Sequence, residues 1–167
     1  MLTIPVAVGL ARPQFLNPEA LALLLCLAVA TDYLDGKVAR AAGTASPNGQ
    51  FFDHATDCIF VTTGLAGAAI AGIVTPILPA CVALAFSQYV LDSYLTHQQK
   101  QLRMTRIGRW NGIFYFSPLC LISASRLTVF EPIGSLLSEA ATLVAYILTV
   151  TTVVSALDRA AAPVTTR

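Results

Sequence analysis

Charge is scarce in this chain. Asp, Glu, Lys and Arg make up 11% of its 167 residues, whereas an ordinary soluble domain carries about 25%. That shortage excludes a disordered chain and a nucleic-acid-binding one, and it argues against a soluble globule. With a net charge of +1, no excess of either sign points to a polyanionic partner. Cysteine is also sparse. Cys26, Cys58, Cys81 and Cys120 stand singly in apolar runs without CxxC spacing, so they read as small buried hydrophobes rather than metal ligands or disulfide partners. The two histidines, His54 and His97, read as bystanders. A basic leader and an A-x-A site are both missing from the first apolar run, which is therefore not read as a cleavable signal peptide. There is no internal repeat, low-complexity tract or linker, so residues 1–167 are expected to form one domain.

Apolar length is abundant. A membrane-spanning helix needs roughly 20 mostly apolar residues to cross a ~30 Å hydrocarbon layer. Leu2 to about Phe15 is apolar but short, and Asn17-Pro18 looks like a turn. Glu19 to Arg40 opens as an Ala/Leu run and ends polar. No charge falls from Cys58 to Leu91, a stretch divided by Pro76-Ile77-Leu78-Pro79, and Trp110 to Ser125 and Ala140 to Leu157 are equally free of charge. The pattern predicts an all-α integral membrane protein with six transmembrane helices, the first short. Lys and Arg orient it. Lys37, Arg40, Lys100, Arg103, Arg106, Arg109, Arg159 and Arg167, eight of the ten basic residues, fall on one side, leaving Arg12 and Arg126 with Glu19, Glu131 and Glu139 on the other. The basic side is assigned to the cytosol, with both termini there.

Four of the nine acids, Asp32, Asp35, Asp53 and Asp57, fall within 26 residues at the cytosolic ends of the second and third helices. Acids at a membrane are costly and point first to function. Asp32, Asp35 and Ala39 share one helix face, with Gly36 beside them, while Gly49, Asp53 and Asp57 form a second stripe at intervals of four. The link from Ala41 to Asn48 contains Ser46-Pro47-Asn48, which suits a turn, so two antiparallel helices can point four carboxylates at one another. Such a group repels itself unless cations lie between. All-oxygen ligation suits Mg²⁺ or Mn²⁺ better than zinc, and four charges balance two divalent ions. Ordinary interfacial pairing is the competing explanation, but Lys37 and Arg40 cannot neutralise four acids. Gly36, Ala39 and Gly49 look like places where a ligand or another backbone comes close.

The run Asp32-Tyr33-Leu34-Asp35-Gly36-Lys37-Val38-Ala39-Arg40, then eight residues, Gly49, three residues, Asp53, three residues and Asp57 has the form DxxDGxxAR(x8)GxxxDxxxD. It resembles the signature of the CDP-alcohol phosphotransferase family at all eight fixed positions, a coincidence rarer than about one in a billion per start position at average residue usage. The resemblance implies transfer of a phosphoalcohol from its CDP ester to an acceptor hydroxyl, with release of CMP. It implies that Asp32, Asp35 and Asp53 hold two metal ions. Asp57 is then the general base and a further metal ligand. Gly36, Ala39 and Gly49 line the cytidine site, Arg40 lies near the pyrophosphate, and Thr31 touches the nucleotide. Lys37 occupies a variable position. The implied partners are a CDP-linked lipid, a small alcohol and the bilayer, with no nucleic acid, and a homodimer is expected. The implied location is a bacterial-type cytoplasmic membrane, with the site facing the cytosol.

Two departures accompany the resemblance. The family's basic juxtamembrane segment, with an Asn and an Arg near the start of the first span, is missing, so the leading helix is curtailed or the start lies upstream. Many relatives that accept a phosphorylated polyol also carry an Arg in the fourth span, where this chain has Gln88, Asp92 and Thr96 on one face and Ser93 nearby. For the acceptor, Arg103, Arg106 and Arg109, with Lys100, favour a phosphorylated polyol such as glycerol 3-phosphate or inositol phosphate, although topology alone would also produce a basic loop. Asp92 favours an unphosphorylated alcohol such as inositol, serine, ethanolamine or choline, unless it is an interfacial acid. Two other classes compete: a small cation transporter, which would place acids mid-membrane, and a scaffold paralogue, which would be expected to lose an Asp.

Overall fold

A computed structural model describes residues 2–41, 47–91 and 106–161, apart from the side chains at 35, 36, 39, 40, 47, 48, 50, 106, 159 and 161. Regular structure among the described residues is helical throughout: α1 (Thr3–Ala11), α2 (Pro18–Ala41), α3 (Pro47–Ile70), α4 (Ile77–Leu91), α5 (Arg106–Phe114), α6 (Phe116–Ser125) and α7 (Gly134–Ala161), with a 3-10 turn at Thr128–Ile133 before α7.

Local chemistry explains most boundaries. Pro18 opens α2 where a missing N–H costs nothing, and Asn17 Oδ1 accepts the Ala20 N–H at 2.8 Å. Pro47 opens α3 in the same way, so Pro47 and Asn48 belong to the helix rather than to the expected turn. Gly72, at φ 76°, supplies the left-handed residue that stops α3 before the proline pair. The expected single helix from Trp110 to Ser125 is two helices. Pro118 has no N–H for the Phe114 carbonyl and its ring crowds that oxygen; the Ser117 hydroxyl donates to it instead, at 2.6 Å. The first helix is shorter than the apolar run that predicted it, and the last begins at Gly134, six residues before Ala140.

One core runs through the bundle: Val6 and Leu10 of α1, Leu21 and Leu25 of α2, Val61, Leu65 and Ala68 of α3, Leu78 and Val82 of α4, Leu119 and Ile122 of α6, and Ala141, Ala145 and Leu148 of α7. The short α1 packs against both α2 and α3. It approaches α3 so closely that a Cβ at Gly67 would collide with the Ala7 carbonyl. Arg126, at the end of α6, donates to the carbonyls of Gly9 (2.7 Å) and Leu10 (2.8 Å), tying down the C-terminal end of α1.

The outer surface is rich in exposed Leu, Ile and Val, among them Leu23, Leu27, Ile59, Ile70, Leu84, Leu143 and Val150. Apolar exposure on this scale suits lipid better than water. The segment Thr128–Asp158 is both long and apolar enough to span a bilayer, and α4 is a shorter apolar helix. Helices α2 and α3, at 24 residues each, reach about 36 Å but devote one end to charged residues. The cysteines correct an expectation: Cys26 and Cys120 are exposed and Cys58 and Cys81 half-buried, all four free thiols. Cys58 packs against the core from its margin, whereas Cys26 and Cys120 lie on exposed helix faces.

Candidate active site

The acidic stripes continue the core stripes. On α2 the series Leu21, Leu25, Ala28 leads at helical spacing to Asp32; on α3, Asp53 and Asp57 lead into Val61 and Leu65. Burying the apolar part of each stripe therefore brings the acids together at one end of the bundle. Asp32 and Asp57, from different helices, share a hydrogen bond, and Asp53 lies within electrostatic reach of Asp57. Asp57 stands just outside the charge-free stretch that begins at Cys58. Its carboxyl is pushed up from 3.8 to about 7, first by burial, then by the charges of Asp32 and Asp53 and by the Asp32 hydrogen bond. Two carboxyls can share a hydrogen bond only if one holds a proton, so the pair titrates as a unit.

Beside the pair opens a cavity of about 550 Å³. Asp32 and Tyr33 of α2, His54, Asp57 and Cys58 of α3, Phe86 and Tyr89 of α4, and residues of α5, α6 and α7 line it. Helix α5 exposes Ile107, Trp110 and Phe114, with Trp110 stacked on Phe114 at 5.9 Å. Gly108, Arg109, Asn111, Gly112 and Ile113 line the cavity, with Asn111 the buried member, and Tyr115 continues their line. The buried stripe of α7 runs Ala141, Ala145, Leu148 and then turns polar at Thr152 and Ser155, both of which line the cavity. The Tyr115 and Thr152 hydroxyls lie 2.7 Å apart. Gln88 Nε2 of α4 donates to the Ala156 carbonyl at 3.2 Å, joining α4 to α7 along this wall.

The structure unites Asp32 with Asp57 and holds Asp53, half-buried, nearby. Thr31 is exposed, its hydroxyl donating back to Leu27 (2.8 Å) and Ala28 (3.0 Å) of its own helix. Gly49 is exposed, as is Lys37, and Arg109 is exposed at the edge of the cavity. Asp35, Gly36, Ala39 and Arg40 are described only as helical positions of α2, and Arg106 only as the first of α5. Asp92 and Arg103 lie outside the described residues. His54, read as a bystander, lines the cavity. Asn111, Tyr115, Thr152 and Ser155 escaped the sequence reading. Their only signal was polarity at helical spacing inside charge-free runs.

The donor set suits a hard divalent cation: the carboxyls that meet are oxygen ligands, crowded and partly desolvated. Among the described residues no group of three or more His, Cys, Asp or Glu side chains forms a complete metal cage; Asp35, the fourth acid, has no described side chain.

Among the described residues the chain is an all-helical bundle with an apolar exterior and two acids that meet beside a cavity. The chain belongs to the CDP-alcohol phosphatidyltransferase family, which it matches over residues 1–157. This is a membrane-integral family. The chain is 34% identical over 110 residues to an archaetidylinositol phosphate synthase of Aeropyrum pernix, an alignment that takes in 65% of this chain and 55% of that protein. The match thus spans little more than half the length of this relative. No solved structure matches the chain.

Proposed function

We propose that the protein is a six-span membrane enzyme of phospholipid synthesis that transfers a phosphatidyl-type group from a CDP-linked lipid to an acceptor hydroxyl, releasing CMP. The observation that carries this reading is the contact between Asp32 and Asp57 at the cavity, in a chain of this family with all eight signature residues in place. In this reading Asp32, Asp35, Asp53 and Asp57 hold two Mg²⁺ or Mn²⁺ ions. When bound, the ions neutralise the pyrophosphate and stabilise the attacking and leaving oxygens of an in-line displacement. Gly36, Ala39 and Gly49 leave room for the cytidine, Arg40 serves the pyrophosphate and Thr31 the nucleotide. Asp57 takes the proton of the acceptor hydroxyl as its oxygen bonds to the phosphorus that bears the lipid alcohol. The bond from that phosphorus to the CMP oxygen breaks, and CMP leaves.

The acceptor in this reading is a phosphorylated polyol. Arg109 at the cavity edge favours a phosphate, as do Arg103 and Arg106 in the same basic stretch, and they outweigh Asp92, which favours an unphosphorylated alcohol. The name of the Aeropyrum pernix relative points to a headgroup of inositol phosphate. The enzyme works as a homodimer in a bacterial-type cytoplasmic membrane, its site open to the cytosol and its lipid chains left in the bilayer. The test is CMP release by the purified protein from CDP-diacylglycerol and from its ether-linked archaeal counterpart, with Mg²⁺ or Mn²⁺. Inositol phosphate and glycerol 3-phosphate are compared with inositol, serine, ethanolamine and choline. Turnover is expected with a phosphorylated polyol. Turnover with an unphosphorylated alcohol alone contradicts the acceptor assignment, and no CMP with any acceptor contradicts the whole reading.

A further inference from the structure

Helices α2 and α6 leave an apolar groove of about 490 Å³ between them. Small side chains open it: Ala22, Cys26 and Ala30 at intervals of four on α2, with Cys120 and Ala124 on α6. From Ala22 to Tyr33 the groove follows α2 for about 16 Å. At its end nearer the acids, Val29 and Tyr33 line both the groove and the cavity that holds Asp32 and Asp57.

Small residues admit many occupants, and one polar atom narrows the choice. Ser123 of α6 lines the groove and is only 3% exposed, yet its hydroxyl has no hydrogen-bond partner among the described residues. The other serines of α6 bond back to nearby carbonyls, Ser117 to Phe114 at 2.6 Å and Ser125 to Ile122 at 2.8 Å. A buried hydroxyl kept without a partner in an apolar wall is costly, so its presence points to an outside group that completes the pairing.

The place of Ser123 along the groove sets the direction of the occupant. It lies one turn before Arg126, at the end of the bundle away from the acids, where Arg126 bonds the Gly9 and Leu10 carbonyls. A lipid chain descending from the acidic end would bring only methyl and methylene groups to this hydroxyl. A phospholipid of the opposite leaflet brings its glycerol-linkage oxygens there instead. Its phosphate then lies toward the charge of Arg126, and its hydrocarbon runs along the groove. The length of the groove also matches one leaflet, half of a ~30 Å hydrocarbon layer, whereas a spanning partner helix needs roughly twice that.

We propose that the groove between α2 and α6 binds a phospholipid of the leaflet opposite the acids, the Ser123 hydroxyl donating to an ester or ether oxygen at its glycerol linkage. The site is separate from the transfer chemistry, and the far end of the bound chain backs the Val29 and Tyr33 wall of the cavity.

The experiment reconstitutes the full chain in vesicles of ester-linked or of ether-linked phosphatidylglycerol. Each holds a trace of the matching lipid with a photoreactive diazirine, either beside the glycerol linkage or at the chain end. Mass spectrometry maps the adducts. In at least one of the two lipids, the linkage label should mark Ala22, Ala124 and Leu127, and the chain-end label Val29, Ala30 and Tyr33. The reverse pattern overturns the proposal, because it seats a lipid of the acidic leaflet. Adducts on the exposed face of α7 at Leu143 and Val150, with none in the groove for either lipid, overturn it too and leave the groove to a partner helix. Labelling is repeated after extraction into detergent, where bulk lipid no longer fills the groove. There Ser123→Ala should cut groove adducts about three- to tenfold, and equal labelling in the two proteins overturns the role of Ser123. Cys26→Leu, which fills the groove from α2 and keeps the hydroxyl, should abolish groove adducts; undiminished labelling contradicts the placement. Thermal unfolding certifies both variants.

Discussion

Asp32 of α2 and Asp57 of α3 share a hydrogen bond across the end of the bundle, between helices whose other ends are both packed against α1. Two acids meet here because the apolar stripes beneath them are buried in one core. The contact requires a proton when no cation is bound.

A pH dependence follows, with a definite sign. Asp57 is pushed up from 3.8 to about 7 in the folded metal-free protein, so the folded state binds its proton more tightly than the unfolded chain does. The stabilisation is complete below about 4 and is lost as pH rises through about 7. Thermal unfolding in chelator should therefore show a melting temperature that falls from pH 5 to pH 8, and Asp57→Asn should flatten that fall. Mn²⁺ should raise the melting temperature more at pH 8 than at pH 6, because it competes with the proton. An equal slope in the variant would place the titration on another group.

Gly67 lets α1 lie against α3, since a Cβ there meets the Ala7 carbonyl. Gly67→Ala should destabilise the protein by about 1–3 kcal/mol, the range for overpacking. At Gly112 the same substitution meets open space and should leave the melting temperature within about a degree or two. Unfolding curves in one detergent check both.

Arg126 holds α1 by two donors at once, to Gly9 and Leu10. Lysine keeps the charge but not the planar fork, so Arg126→Lys should cost about 1–3 kcal/mol. Residues 12–17, which link α1 to α2, should become sensitive to protease. A cleavage rate equal to that of wild type would show that packing alone holds α1.

The meeting of Asp32 and Asp57, with Asp53 nearby, was legible because its cause is local: offsets of four and eight along a helix put these acids in line with the apolar stripes before any tertiary contact is known. The cavity was not. It depends on how α4, α5, α6 and α7 meet, and no short-range pattern shows that Asn111 and Thr151, 40 positions apart, touch. The break at Tyr115 was missed for a similar reason. Absence of charge was read as continuity, although Pro118 already denied the Phe114 carbonyl its helical partner. Arg126 was read for topology alone, and its bonds to α1 lie more than 100 residues away in sequence.

Single-turnover release of CMP tests the assignment of Asp57 most directly. Wild type and Asp57→Asn are compared at saturating acceptor with Mg²⁺ or Mn²⁺ across pH. Asparagine keeps the size and much of the hydrogen bonding but removes the proton acceptor. The rate should fall by at least ~10²-fold, within the ~10²–10⁴ range for loss of a general base, with CDP-lipid affinity changed far less. A variant within threefold of wild type, with the same pH dependence, would contradict the assignment and place the base on another residue.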